Sequence, residues 1–362
     1  PISRKNCAAQ RDLTMKNRSL VFGSIVATSM LALAACGGSS SSTESTVVET
    51  TVATETTIPE IVNPLTGLPN TDPSTLNRPA MVVKIDNHPS ARPQLGINQA
   101  DIIFEENVEK LTRLAAVFQS EGSDPVGPIR SGRFQDINLV SSLIKPLFVW
   151  SGGNEQVTAA IKKSDLVDLS YTVANKDGGF ARDSDRSAPH NLIAETTKLW
   201  TLSPEGSTAP PTQFSYRAAS DAAPATAKPT AGVKVSMDGV KVQWDWDATT
   251  GEFLRLQDNT PVVDTADVQL AVPNVIVLEV EYSNQYSPTS KTLGGGKVYV
   301  FTNGTLIEGT WERTDRLTPF LLKDSSGAVI KLTPGQTFVE VARAAKTAVV
   351  PVGTNPDDVK FL

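Results

Sequence analysis

The chain contains only two histidines, and each stands beside a proline in a polar loop. His88 ends the stretch Val82-Val83-Lys84-Ile85-Asp86-Asn87-His88-Pro89, and His190 lies within Ser187-Ala188-Pro189-His190-Asn191. Two arginine-rich turns accompany them, Gly127-Pro128-Ile129-Arg130-Ser131-Gly132-Arg133 and Ala181-Arg182-Asp183-Ser184-Asp185-Arg186. The β-branched run before Asp86 reads as a buried strand, and its polar tip as the loop leaving it. Loops at strand ends commonly carry binding residues. We expect the four stretches to line one ligand-binding site. Asp86, Asn87, His88 and Arg92 would come from the first loop and Glu105 from a neighbouring strand. Arg130, Ser131 and Arg133 would come from the second loop, and Arg182, Asp183, His190 and Asn191 from the last. Shared lining requires the two imidazoles to lie within about ten ångström, one ligand length in an ordinary pocket.

Several chemistries fit these residue types. Two imidazoles with Asp86, Glu105 or Asp183 would make a two-histidine, one-carboxylate set suited to zinc or ferrous iron. No HxH, HExxH or HxxE spacing supports it, and bonding of each ring to backbone in a tight loop accounts for both histidines as well. On this pattern no metal ligand and no cofactor is assigned. Ser131 or Ser151 could be a nucleophile, but neither turn has the Gly-x-Ser-x-Gly elbow, and turn serines usually serve the backbone. Glu105 and Glu106 are adjacent on a strand, so they face opposite sides of a sheet and cannot act on one bond. A salt bridge to Arg113 or Arg130 is the plainer role for either. The arginines say more. Planar guanidinium groups match carboxylate or phosphate, and Arg130 and Arg133 precede a helix whose N-terminus attracts anions. With Trp150 and Phe180 near in sequence, the pattern describes a pocket for an anionic or sugar-containing ligand. The competing reading is an internal salt-bridge network with Asp183, Asp185, Glu105 and Glu109.

The front of the chain says where such a site would work. Residues 1–35 read as a leader and lipoprotein signal peptide, with Met15 as the expected start. Lys16 and Arg18 precede an apolar run from Leu20 to Ala35, and Leu33-Ala34-Ala35-Cys36 closes it. A basic start, a short apolar run and small residues before a cut describe an export signal. Leu-Ala-Ala-Cys resembles the bacterial lipobox, which makes Cys36 the lipidation site; two or more acyl chains give lasting attachment. Residues 36–57 are rich in Gly, Ser, Thr and Glu without apolar periodicity, and read as a disordered tether. The net charge is -6. Five basic and one acidic side chain fall in residues 1–35, so the remainder carries 28 basic against 38 acidic groups, or -10. That balance argues against nucleic acid as a partner.

Behind the tether, strands and helices mix through residues 58–206. Strands are expected at Ala80–Ile85, Asp101–Phe104, Leu114–Phe118 and Leu147–Trp150, and helices at Gln135–Ile144, Asn154–Lys162 and Asn191–Leu202. Residues 207–231, rich in Ala, Pro, Thr and Ser, read as an interdomain linker. From residue 232 to 346 the pattern is short alternating strands with Gly turns, expected to form an all-β barrel or sandwich; residues 347–362 are a tail. Asp238-Gly239 is a strong hairpin signal, and Trp244 and Trp246 should share a face. The fold class is thus α+β, with a mixed α/β N-terminal domain and an all-β C-terminal one.

Pro64-Leu65-Thr66-Gly67-Leu68, Lys84-Ile85-Asp86-Asn87-His88-Pro89, Gly127-Pro128-Ile129-Arg130-Ser131 and Ala188-Pro189-His190-Asn191-Leu192 together resemble the YerB-like bacterial lipoproteins. Gly309-Thr310-Trp311 and Leu332-Thr333-Pro334-Gly335-Gln336-Thr337 extend the resemblance over nearly all of the chain behind the tether. It departs at Gly132, where the family more often has Ala. The resemblance implies an exported, two-domain lipoprotein of unassigned function and supplies no catalytic residue. The resulting expectation is a binding protein rather than an enzyme. It would be lipid-anchored on the extracytoplasmic face of the cell membrane and take a cell-envelope ligand or an envelope protein partner. The rival is a cell-envelope hydrolase, metal-dependent or not, using His88 and His190.

Overall fold

The hairpin at the centre of the fold is made by β2 (Ile102–Val108) and β3 (Leu111–Phe118), joined through Glu109 and Lys110, both at positive φ. Here and below, the structure is a computed structural model that describes residues 61–362. The expected signal peptide, Cys36 and the tether lie outside the described residues. β1 (Met81–Asp86) pairs antiparallel with β3 on one side and parallel with β4 (Leu147–Trp150) on the other. β5 (Val167–Ser170) continues in parallel beyond β4. Parallel neighbours need a crossover, which α1 (Phe134–Val140) and α2 (Glu155–Lys162) provide. Asn154 caps α2 by accepting the Val157 N–H at 2.9 Å, and Val157 and Ile161 are the residues it buries.

The helix expected over Asn191–Leu202 is not formed as such. Leu192–Ala194 is strand β7, paired with β6 (Phe180–Arg182), and Ala194 also exchanges backbone bonds with Val126. Only Thr196–Trp200 is helical, as α4, following the single turn α3 (Tyr171–Ala174). Tertiary pairing overrides local helix preference here.

The second half contributes β8 (Ser215–Tyr216), β9 (Lys228–Pro229), β10 (Gly232–Met237), β11 (Val240–Asp247), β12 (Glu252–Gln257), β13 (Thr260–Pro261), β14 (Ala271–Val272), β15 (Asn274–Val280), β16 (Gly294–Thr302), β17 (Thr305–Arg313), β18 (Leu321–Asp324), β19 (Lys331–Leu332), β20 (Thr337–Arg343) and β21 (Thr347–Val350). The Asp238-Gly239 hairpin joins β10 and β11, and Trp244 and Trp246 both pack toward the core. The main sheet runs β18-β17-β16-β15-β20-β2-β3-β1-β4-β5. β20 lies parallel between β15 and β2, pairing Ile102 with Thr337 and Glu106 with Val341, so the two halves share one sheet. A second sheet, β13-β12-β11-β10-β21, packs its apolar face on one side of the first, around Val235, Trp244, Phe253, Val277 and Phe338. The other side of the main sheet curls over Phe148, Trp150, Ile161, Trp311 and Phe320. Arg316, between β17 and β18, reaches Asp165, just before β5, at 2.6 Å. The sheet ends thereby approach each other, but among the described residues no ladder joins β18 to β5, so of the barrel or sandwich expected for residues 232–346 a closed barrel is not the form taken. The segment expected as a linker is stitched down: β8 pairs with β19, β9 with β17, and Gln213 is bonded to Ser142.

Candidate functional site

The end of β1 gathers the polar loops. The Asp86 N–H donates to Pro128 O at 2.9 Å and the Arg130 N–H to Lys84 O at 2.8 Å, so the 127–133 turn runs beside the strand. Ile129 N–H in turn donates to Leu192 O at 2.6 Å, tying this turn to β7. Gly127 permits the approach: its φ is +147°, and a Cβ there would stand 3.0 Å from Leu192 O.

The Asp86 carboxylate, 3% exposed as a residue, accepts bonds from all three loops. Oδ1 takes the His88 N–H at 3.0 Å; Oδ2 takes His190 Nδ1 at 2.7 Å and Arg130 Nε at 3.1 Å. His88 Nδ1 accepts the Ser90 N–H at 3.1 Å. Neutral His88 therefore carries its proton on Nε2, whereas Asp86 selects the Nδ1–H form of His190. The two rings stack with centroids 4.3 Å apart and planes inclined by 14°. The two histidines, 102 positions apart in sequence, thus meet well inside one ligand length.

This geometry bears on the chemistries. Imidazole lone pairs lie in the ring plane, so nearly parallel stacked rings present theirs side by side and not toward one point, as a shared metal would need. Among the described residues no cluster of three or more His, Cys, Asp and Glu could hold a metal ion. Ser131 Oγ faces Ser151 Oγ at 3.4 Å, and neither hydroxyl bonds to an imidazole among the described residues.

Beside the His190 imidazole lies a cleft of about 830 Å³, walled by the 90–95 loop, the β6–β7 loop and Thr265 from the second half. Arg92, Asp183 and His190 line it, with Leu95, Pro125 and Ile193 as apolar walls. Arg186 is its strut. Its Nε donates to Asp183 Oδ2 at 2.9 Å, Nη1 to Ala91 O at 2.8 Å and Nη2 to Pro93 O at 2.6 Å. Arg182 donates to Asn191 Oδ1 at 2.8 Å nearby.

The remaining expected residues divide between two other networks. Arg133 forms a two-pronged pair with Glu109 at 2.9 and 2.7 Å, next to Arg113, which donates to Ser131 O at 2.8 Å. Burial, and then the like charge of Arg133, push Arg113 down to about 10. Glu105 and Asn87 are fully interior. Glu105 binds Arg255, whose other arm holds Glu340 at 2.8 Å, and Asn87 donates to Glu105 at 3.2 Å and to Gln257 at 2.9 Å. Trp244 Nε1 donates to Glu340 at 2.9 Å. The expected partners of Glu105, Arg113 and Arg130, are not the ones it uses, because Arg255 arrives from β12 in the facing second sheet. Arg255, Gln257 and Glu340 had no local signal: each sits in an alternating strand that reads as an ordinary polar face. Arg186 was visible as one of a pair, but not as the strut of the cleft.

Fold and site together define an α+β protein of two interlocked halves, with a loop-built polar cleft at one end of β1. The chain belongs to the family described as protein of unknown function (DUF3048), whose N-terminal domain matches residues 65–208 and whose C-terminal domain matches residues 233–339. It is 29% identical over 310 residues to the protein named "Putative lipoprotein YerB" of Bacillus subtilis (strain 168), covering 80% of this chain and 88% of that protein. The crystal structure of the YerB protein from Bacillus subtilis has the same fold, with a TM-score of 0.69 at 22% identity over 80% of this chain and 99% of that one. Among the described residues no helix is long and apolar enough to cross a membrane.

Proposed function

We propose that this chain is a lipid-anchored protein on the extracytoplasmic face of the cell membrane, and that it binds an anionic or sugar-containing cell-envelope ligand in the cleft beside His190. An envelope protein presenting such a group would dock in the same place. The convergence of Asp86, His88 and Arg130 on His190, which itself lines the cleft, carries this reading. The buried Asp86 carboxylate and the stacked rings hold His190 in place before any ligand arrives, which lowers the ordering cost of binding. The anchor rests on the export signal, the Leu-Ala-Ala-Cys36 stretch and the lipoprotein name of the Bacillus relative. Two experiments test the proposal. Cys36→Ser should move the protein from the membrane fraction to the medium; equal membrane recovery removes the anchor. Calorimetric titration of residues 58–362 with enzymatically solubilised cell-wall fragments should give saturable heat that His190→Ala abolishes. Heat that is absent, or unchanged by the substitution, removes the cleft.

The Asp86–His190 pair also supports a second reading. A carboxylate-oriented imidazole is the base half of a hydrolytic relay, and here it would have to act on water, since neither turn serine reaches it. Turnover of a hydrolase panel by the same protein, lost in His190→Ala, would favour this reading over binding alone.

A further inference from the structure

We propose that Arg92 is the receptor for the ligand's oxyanion, a carboxylate or phosphate, with the His190 imidazole as its neighbour in the cleft. The inference rests on the binding reading above and names the group that the site recognises. Arg92 differs from the arginines around it. Arg186 spends its donors on Asp183 and on two carbonyls, Arg182 binds Asn191, Arg133 binds Glu109 and Arg130 binds Asp86. The half-buried Arg92 guanidinium makes no hydrogen bond or ion pair among the described residues, and its Nε is shut off from water without an acceptor. A charged donor stripped of water and left unpaired is costly unless something else pairs it.

The nearest carboxylates do not fill that role. Asp258 and Glu105 lie close enough to favour its charge, and Arg255 close enough to oppose it. Glu105 is held by Arg255 and Asn87, and Asp258 accepts the Lys241 N–H at 3.1 Å. The backbone on both sides of Arg92 is fixed, since Arg186 grips the carbonyls of Ala91 and Pro93. An unpaired guanidinium carried by a cleft-lining residue whose neighbouring backbone is held offers charge and paired donors to a two-oxygen anion. Leu95, Pro125 and Ile193 beside it suit a ligand whose oxyanion is attached to a body with one apolar face.

The test uses residues 58–362, whose described residues form one compact unit, in chloride buffer. Inorganic phosphate and succinate are titrated separately while the Arg92 Nε–H and His190 imidazole resonances are followed by NMR. Both resonances should shift saturably with at least one anion. A response to phosphate alone identifies a phosphate ligand, and a response to succinate alone identifies a carboxylate. Arg92→Ala should weaken binding by about tenfold or more, and Arg92→Lys should fall between, since it keeps charge and loses the fork. Lys198→Gln, a surface cation outside the cleft, should change nothing. Arg92→Gln takes the place of the alanine variant if that one does not fold. An unchanged His190 titration midpoint in the Arg92 variants overturns the assignment and leaves the cleft reading standing. Silence of both resonances toward both anions in the wild type also overturns it, and the wall-fragment calorimetry then decides whether the cleft reading falls too.

Discussion

Glu105 and Glu106 are consecutive on β2, lie on opposite faces of the main sheet, and are each buried with one cation and a second carboxylate. Glu105 shares Arg255 with Glu340; Glu106 is 3.0 Å from Lys84, which also holds Asp136 at 2.7 Å. Two carboxylates for each buried cation leave one negative charge poorly compensated, so each cluster favours keeping a proton. Burial, and then the charge of Glu105, push Glu340 up to about 8. Burial also pushes Glu106 up to about 8, with Asp136 adding to the rise and Lys84 opposing it.

A pH dependence of stability follows. A carboxyl group whose pKa is higher in the folded than in the unfolded chain binds its proton more tightly when folded. Its contribution is present below the unfolded value, 4.5 for glutamate, and is lost as pH rises toward about 8. Asp101, pushed up to about 6 by burial, acts in the same sense over a lower range. Urea midpoints for residues 58–362 should therefore fall between pH 5 and pH 8.5. Glu340→Gln should flatten that slope. A midpoint that rises over this interval contradicts the assignment.

Arg255 is the single cation between Glu105 and Glu340 and joins β12 to β2 and β20. Removing one partner of a buried ion network leaves uncompensated charge, at a cost of roughly 3–5 kcal/mol. Arg255→Met should lower stability by about that much and still unfold in one cooperative transition, because β20 is hydrogen bonded to strands of both halves. Two separated transitions in the wild type would contradict the shared sheet.

The two imidazoles should be opposite tautomers. Ser90 N–H donates to His88 Nδ1, and Asp86 accepts from His190 Nδ1. With only two histidines in the chain, imidazole ¹⁵N shifts at high pH can be assigned by substituting either one. His88 should show the Nε2–H form and His190 the Nδ1–H form. Asp86→Asn should disturb the His190 pattern and leave that of His88. Identical tautomers in the wild type would contradict the hydrogen bonding at Asp86.

Local features of this fold were legible in the sequence because their causes are local. The period-two argument that separates Glu105 from Glu106 holds, as do the Asp238-Gly239 hairpin and the helix expected over Asn154–Lys162. The meeting of His88 and His190 was expected from loops at strand ends. Its details were not visible, since the stack depends on how the 127–133 turn bridges β1 and β7. Arg255 and Glu340 carry no local mark, because their role arises only when β12 and β20 are brought against β2. The stretch 207–231 has a linker's composition, yet Gln213, Tyr216 and Lys228–Pro229 find partners far away in sequence. Asn191–Leu202 failed as a continuous helix for the same reason: the partners of Leu192–Ala194 lie in β6 and at Val126.

The central claim, that the two stacked histidines stand at one ligand cleft, is tested most directly by their own signals. Imidazole ¹H–¹³C resonances of residues 58–362 would be followed while solubilised cell-wall fragments are added. The account predicts that both rings shift together along one saturable curve, and that Asp86→Ala weakens the curve for both. Saturable binding by calorimetry with neither imidazole moving, or with only one responding, would contradict it.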